Sequence, residues 1–172
     1  DNLQVQLASF PESNPRRENF NLVSVPLPEI LPGEVLCETL YLSLDPYMRS
    51  QIAGRHMSGS VTVGDVMRGE TVSRVVATES DAFKPGDIVR GFGNWQKYST
   101  HIAADLQTIP NTIDTVSHAL SVLGMPGLTA YAGMVWQARP KPGDVALIPA
   151  AIGGVGATAG QLAKIHGCTV IG

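Results

Sequence analysis

Residues 145–164, VALIPAAIGGVGATAGQLAK, read as strand, glycine turn and helix. Val145 to Ile148 is a short apolar run suited to a buried parallel strand. Gly153, Gly154 and Gly156 permit a tight turn and a close approach of backbone to a ligand. Ala157 to His166 carries a helical pattern, with Ala157, Gly160, Gln161 and Lys164 on one face. A helix opening on such a turn offers unbonded N–H groups and the positive end of its dipole, a seat for a pyrophosphate. The strand before and the helix after are the context that gives a glycine motif its meaning as a dinucleotide fingerprint.

Outward from this stretch, the chain becomes β-rich towards its start. Leu3, Val5 and Leu7 alternate with polar residues, Phe20 to Val25 reads as a second strand, and Val35 to Leu44 as a long third one. The segment 46–48 leaves that strand through a loop begun by Pro46, and 49–64 reads as a mobile surface loop. Val66 to Thr78 predicts one or two strands, Ile88 to Arg90 another, and Trp95 to Ile102 a further one. Asp114 to Val122 predicts the first helix, capped by Asp114, and Thr129 to Ala138 the next. KPGD recurs at 84–87 and 141–144 as a turn feeding a strand. The reading is a mixed β and α/β fold, with a β-rich domain over 1–124 and the first βαβ portion of a dinucleotide-binding domain over 125–172.

Composition bounds the function. The chain has 172 residues, of which 44% are hydrophobic and 16% charged, a globular balance with ample core material. A net charge of −3 and a pI near 5.7 supply no electrostatic reason for nucleic acid or an anionic membrane. Glycines and prolines break the uncharged run 145–162, so it makes a poor membrane helix. Cys37 and Cys168 are far apart, and His56, His101, His118 and His166 are scattered, so no metal site is expected. Reduced thiols and the want of a signal-like start point to the cytoplasm.

Two further segments carry chemistry. YLSLDPYMR at 41–49 ends a strand in a loop that projects a phenol, a thioether and a guanidinium. Tyr47 could hydrogen-bond a carbonyl oxygen as charge develops there. Taken alone, the plainer role of packing the turn is the stronger reading. LGMPGLTAY at 123–131 joins the two modules, where MetProGly could approach a bound ring and Thr129 offers a hydroxyl. Thr129 reads equally as a helix cap.

The three segments, in this order, resemble the zinc-independent prostaglandin reductase, leukotriene B4 12-hydroxydehydrogenase and alkenal reductase family of the medium-chain dehydrogenase/reductase superfamily. The likeness also runs through LAS at 7–9, ENF at 18–20, PLPE at 26–29, GDVM at 64–67, and GQLAK with GC over 160–168. It implies a GroES-like domain followed by the start of a Rossmann domain. The implied enzyme reduces the C=C bond of enones and alkenals with NADPH, with 15-oxoprostaglandin-like substrates in its range. By that resemblance Gly153, Gly154, Val155 and Gly156 line the pyrophosphate turn. Pro46 and Tyr47 lie near cofactor and substrate, and Met125 and Thr129 near the nicotinamide, with Tyr47 the catalytic residue. Ile152 and Gly154 depart from the Ser and Ala usual there, and Glu70 and Ser73 from frequent glycines. A quinone oxidoreductase of the same superfamily, and a truncated fragment that binds no nucleotide, are the alternatives. The expected partner is a small-molecule enone or enal, with a homodimer as the default assembly. A ribose-binding residue falls ~20 residues past a glycine turn, and Gly172 is only sixteen past Gly156, so the reading is of part of a protein roughly twice as long.

Overall fold

The computed structural model describes residues 1–172 except His56 and Ser58. It divides into two compact units, Asp1–Thr112 and Ile113–Gly172. The sequence boundary at 124/125 differs in position: residues 113–124 pack with the helices that follow them.

The first unit is built on strands. β1 (Asn2–Leu7) pairs antiparallel with β2 (Phe20–Val25), with Leu7 opposite Phe20. β3 (Glu34–Leu42) is a central strand between β4 (Thr71–Thr78) and β6 (Tyr98–Ile102). β5 (Ile88–Gly91) and β7 (Gln107–Thr108) complete this five-stranded antiparallel sheet in the order β6-β3-β4-β5-β7. One core joins Val35, Cys37, Val75, Val89 and Leu106. A second gathers Leu7, Ile52, Val61 and Met67, with Phe20 stacked on Trp95 at 6.1 Å between ring centroids.

That second core corrects the surface loop expected over 49–64. Ile52 and Val61 are fully enclosed in this core with Leu7 of β1, while Met57 and Val63 stay exposed. The part of that expectation resting on His56 and Ser58 lies outside the described residues. The loop expected at 46–48 is instead the start of a short helix, α1 (Tyr47–Gln51). Pro46 holds φ −56° and ψ −30°, already helical, so proline begins the turn here rather than preventing it.

The second unit opens with a 3₁₀ turn at Val116–Leu120 in place of the helix expected over 114–122, and Asp114 does not cap it. A longer helix fails because the chain reverses at once: Leu123 N–H bonds His118 O, and Gly127 N–H bonds Ser121 O. Helix α2 (Met125–Tyr131) then starts four residues earlier than expected, with Pro126 in its first turn. It continues as a π-helical segment, Ala132–Ala138, in which Trp136 packs edge-on against Tyr131 five residues before it. β8 (Val145–Leu147) and β9 (Thr169–Ile171) pair in parallel, and α3 (Gly154–Ile165) crosses between them. Ala130, Ile148 and Ala159 form the core that joins α2, β8 and α3. The fold is thus mixed, with a β-rich first unit and a βαβ second unit.

Candidate active site

In the second unit the glycine turn follows β8 directly. Gly153 is extended, with φ −73° and ψ 161°, and hands the chain to α3. The helix therefore begins at Gly154, three residues before the expected Ala157, and Gly154, Val155 and Gly156 form its first turn. Their N–H groups are among those a helix leaves without an internal carbonyl. Gly156 is required by space: a Cβ there would lie 2.4 Å from Ala150 O and 3.0 Å from Ala150 C. Ala150 itself takes a left-handed φ of 55°, which turns its carbonyl under the helix start. Gly154 differs, since a Cβ would meet only Pro126 Cβ at 3.4 Å, ordinary contact. Ile152 is fully exposed beside the turn. No acidic side chain occupies the first turn of α3, so the donor set suits a diphosphate.

Pro126, packed on Gly154, brings the start of α2 to the start of α3 within this unit. Met125 is exposed at that end. Thr129 stands one turn further along the helix, and its Oγ1 donates to Met125 O at 2.8 Å. The capping role is thus corrected: Thr129 lies inside the helix and bonds back to it, leaving its oxygen as an acceptor. The glycines of GMPG serve the chain itself, because a Cβ on Gly127 would stand 1.8 Å from Val122 O.

In the first unit Tyr47 is the first residue of α1 and is half-buried. Burial pushes its phenol above the ordinary value, and the charges of Asp45 and Glu70 push in the same direction. Glu70 is also raised, by burial first and by Asp45, while Arg90 pulls it back. Arg90 Nε lies 3.1 Å from Glu70 Oε1, and Arg90 Nη2 donates to Gln107 Oε1. Arg49 Nη2 donates to Ser13 O at 2.6 Å, tying α1 to the β1–β2 connection. In the sequence Glu70 stands out only where a glycine is frequent in the family it resembles. Its partner Arg90 is twenty positions away, and β4–β5 pairing, which sets Val72 opposite Arg90, is what joins them. Ser73, the other departure, is buried with its hydroxyl on Thr71 Oγ1 at 3.0 Å.

Among the described residues no three His, Cys, Asp or Glu side chains converge as a metal site. The Cys37 thiol is buried and pushed up to about 11, and Cys168 Sγ donates to Lys141 O at 3.6 Å. No helix of the described residues is long and apolar enough to cross a membrane.

A family model described as the N-terminal domain of oxidoreductase matches residues 3–109. The chain belongs to this oxidoreductase family. Its relatives set it in the prostaglandin reductase and alkenal reductase branch of the medium-chain dehydrogenases/reductases that its motifs resemble. NADPH-dependent curcumin reductase of Escherichia coli is 43% identical over 96% of this chain and 48% of the relative. Prostaglandin reductase 1 of Bos taurus is 42% identical over 92% of this chain and 47% of the relative. The solved structure of CurA in complex with NADPH from Vibrio vulnificus superposes with a TM-score of 0.91 at 38% identity. That match covers 99% of this chain and 51% of CurA. The chain spans about half the length of the curated relatives it matches.

Proposed function

We propose that the protein carrying this chain reduces the C=C bond of α,β-unsaturated carbonyls with NADPH, without zinc. The observation that carries the reading is the glycine turn at 153–156. It gives a diphosphate the open N–H groups of α3, whose first turn carries no carboxylate. The relatives described above, one of them in complex with NADPH, support the same cofactor. In this reading the first unit is the GroES-like substrate domain and the second begins the Rossmann domain.

When bound, NADPH would supply the hydride that adds at the β-carbon of the substrate. The chain's own part is to hold and polarise. The N–H groups of Gly154, Val155 and Gly156 would take the pyrophosphate, while Met125 and Thr129 would border the nicotinamide. Pro46 fixes the backbone from which Tyr47 projects. Tyr47 would donate a hydrogen bond to the substrate's carbonyl oxygen as negative charge gathers there, and a proton then adds at the α-carbon. A phenol held above its ordinary range remains a donor throughout the physiological range. A zinc-free route fits the Cys37 thiol, which burial pushes up to about 11. The same reading has a cytoplasmic enzyme, a homodimer, acting on small molecules and not on nucleic acid.

NADPH oxidation with an enone, run beside a quinone, tests it. Enone-dependent oxidation that yields the saturated carbonyl is the expected result. Turnover of the quinone alone would transfer the protein to the quinone oxidoreductases, and no saturable NADPH binding would remove the cofactor reading altogether.

A further inference from the structure

Three side chains converge on the bare backbone of Gly69. A Cβ there would lie 2.8 Å from Leu42 Cδ1, at the end of β3, and 3.2 Å from both Met48 Cε of α1 and Trp95 Cδ1. Carbons pack best at roughly 3.5–4.0 Å, so these side chains already fill the space a side chain at Gly69 would need. Met48 is buried, and it follows Tyr47 directly on α1. The short helix therefore rests its buried side chain on this glycine.

The Gly69 backbone is held in place. Asn94 N–H donates to Gly69 O at 3.0 Å, and Gly69 N–H donates to Asn94 Oδ1 at 3.4 Å. On either side, Trp95 N–H donates to Met67 O at 2.8 Å and Ser43 N–H to Glu70 O at 2.9 Å. A methyl added at Gly69 thus has fixed backbone behind it and the three side chains in front. Leu42 is paired with Thr71 in the β3–β4 ladder, and Trp95 is stacked on Phe20. α1, five residues long and tied to the β1–β2 connection by the exposed bond from Arg49 to Ser13 O, is the element left to move.

We propose that Gly69 is a positioning residue: the space left by its missing side chain seats Met48, and so sets where α1 carries Tyr47. The inference rests on the reading of Tyr47 as a residue that meets the substrate, and adds what places it.

The test puts Gly69→Ala into the protein carrying this chain and follows the Tyr47 ring carbons by NMR, assigned by their loss in Tyr47→Phe. The Tyr47 signal shifts in Gly69→Ala and returns when Met48→Leu is added, since leucine ends one atom short of Cε. The kcat of enone reduction follows the same course, falling about tenfold or more and then recovering, with NADPH affinity unchanged. Leu42→Val in the Gly69→Ala background restores neither. An unmoved Tyr47 signal overturns the proposal, and so does a shift that Met48→Leu fails to reverse or that Leu42→Val reverses equally. Where Gly69→Ala alone does not fold, the same pair decides, by whether Met48→Leu and not Leu42→Val restores the folded protein. A Tyr47 signal that moves and returns with no change in kcat refutes the role of Tyr47 in the reaction and leaves the seat standing.

Discussion

Replacing Gly156 by alanine puts the glycine turn under direct strain. The new Cβ would sit 2.4 Å from Ala150 O, 3.0 Å from Ala150 C and 3.2 Å from Ala151 Cα. Contacts between such atoms are optimal at roughly 3.5–4.0 Å. All three obstacles are backbone or α-carbon, and Ala150 is already in a left-handed conformation, so no flexible side chain can give way. Overpacking of this kind costs about 1–3 kcal/mol. The helix gains at most about 1 kcal/mol from losing a glycine, leaving a net loss of up to about 2 kcal/mol, and of about 1–3 kcal/mol relative to the Gly154→Ala control that makes the same gain without the clash. Gly154→Ala is the matched control, two positions away in the same turn, where the new Cβ meets Pro126 at 3.4 Å. Urea unfolding followed by far-ultraviolet helical ellipticity reads both variants, because α2 and α3 lie in the second unit. Gly154→Ala should match or slightly exceed the parent while Gly156→Ala falls below it. Equal stability of the two would refute the argument that space, rather than glycine content, shapes this turn.

Tyr47→Phe should lower kcat of enone reduction about a hundredfold, the effect of losing one donor worth ~3 kcal/mol, with NADPH affinity unchanged; a fully active variant removes the donor role. Gly127→Ala, with a Cβ 1.8 Å from Val122 O, should destabilise the second unit by about 3 kcal/mol or more, read by the same urea transition. Alkylation of the native protein should label Cys168 well before Cys37, whose thiol is buried and held at about 11, and mass mapping of the adducts checks the order. Burial lowers His101 below its ordinary 6.5, with Asp105 offsetting part of it. As pH falls below 6.5 the unfolded chain takes up this proton first, so stability declines until the native imidazole is protonated too. His101→Gln should flatten that acid-side slope, and an unaltered slope would show that other groups cause it.

Local pattern made some elements legible and hid others. β2 was readable residue for residue over Phe20–Val25, a short run rich in β-branched and apolar residues. The strand–turn–helix of residues 145–165 was readable from an apolar run, clustered glycines and a helical spacing. Its helix start was misplaced because glycines 154 and 156 look like turn residues, and only the position of Ala150 O shows why a helix needs them. Met-Pro-Gly at 125–127 likewise suggests a break, yet proline suits a first helical turn and Gly127 lets the Val122 carbonyl pass. The Asp114–Val122 pattern was outweighed by the reversal at His118 to Gly127. The DPYMR segment singles out Tyr47 only through the family resemblance, since taken alone it reads as turn packing. The Glu70–Arg90 ion pair comes from strand pairing across twenty residues and leaves no local trace.

The activity proposed for the protein carrying this chain is an NADPH-dependent reduction of an activated double bond. Steady-state oxidation of NADPH by the protein carrying this chain, with an α,β-unsaturated ketone and with product identified by mass, tests it most directly. The prediction is saturable, enone-dependent oxidation that yields the carbonyl two hydrogens heavier, persists with zinc chelators present and drops sharply in Tyr47→Phe. NADPH oxidation that does not depend on the enone, or an enone returned unchanged, would contradict it.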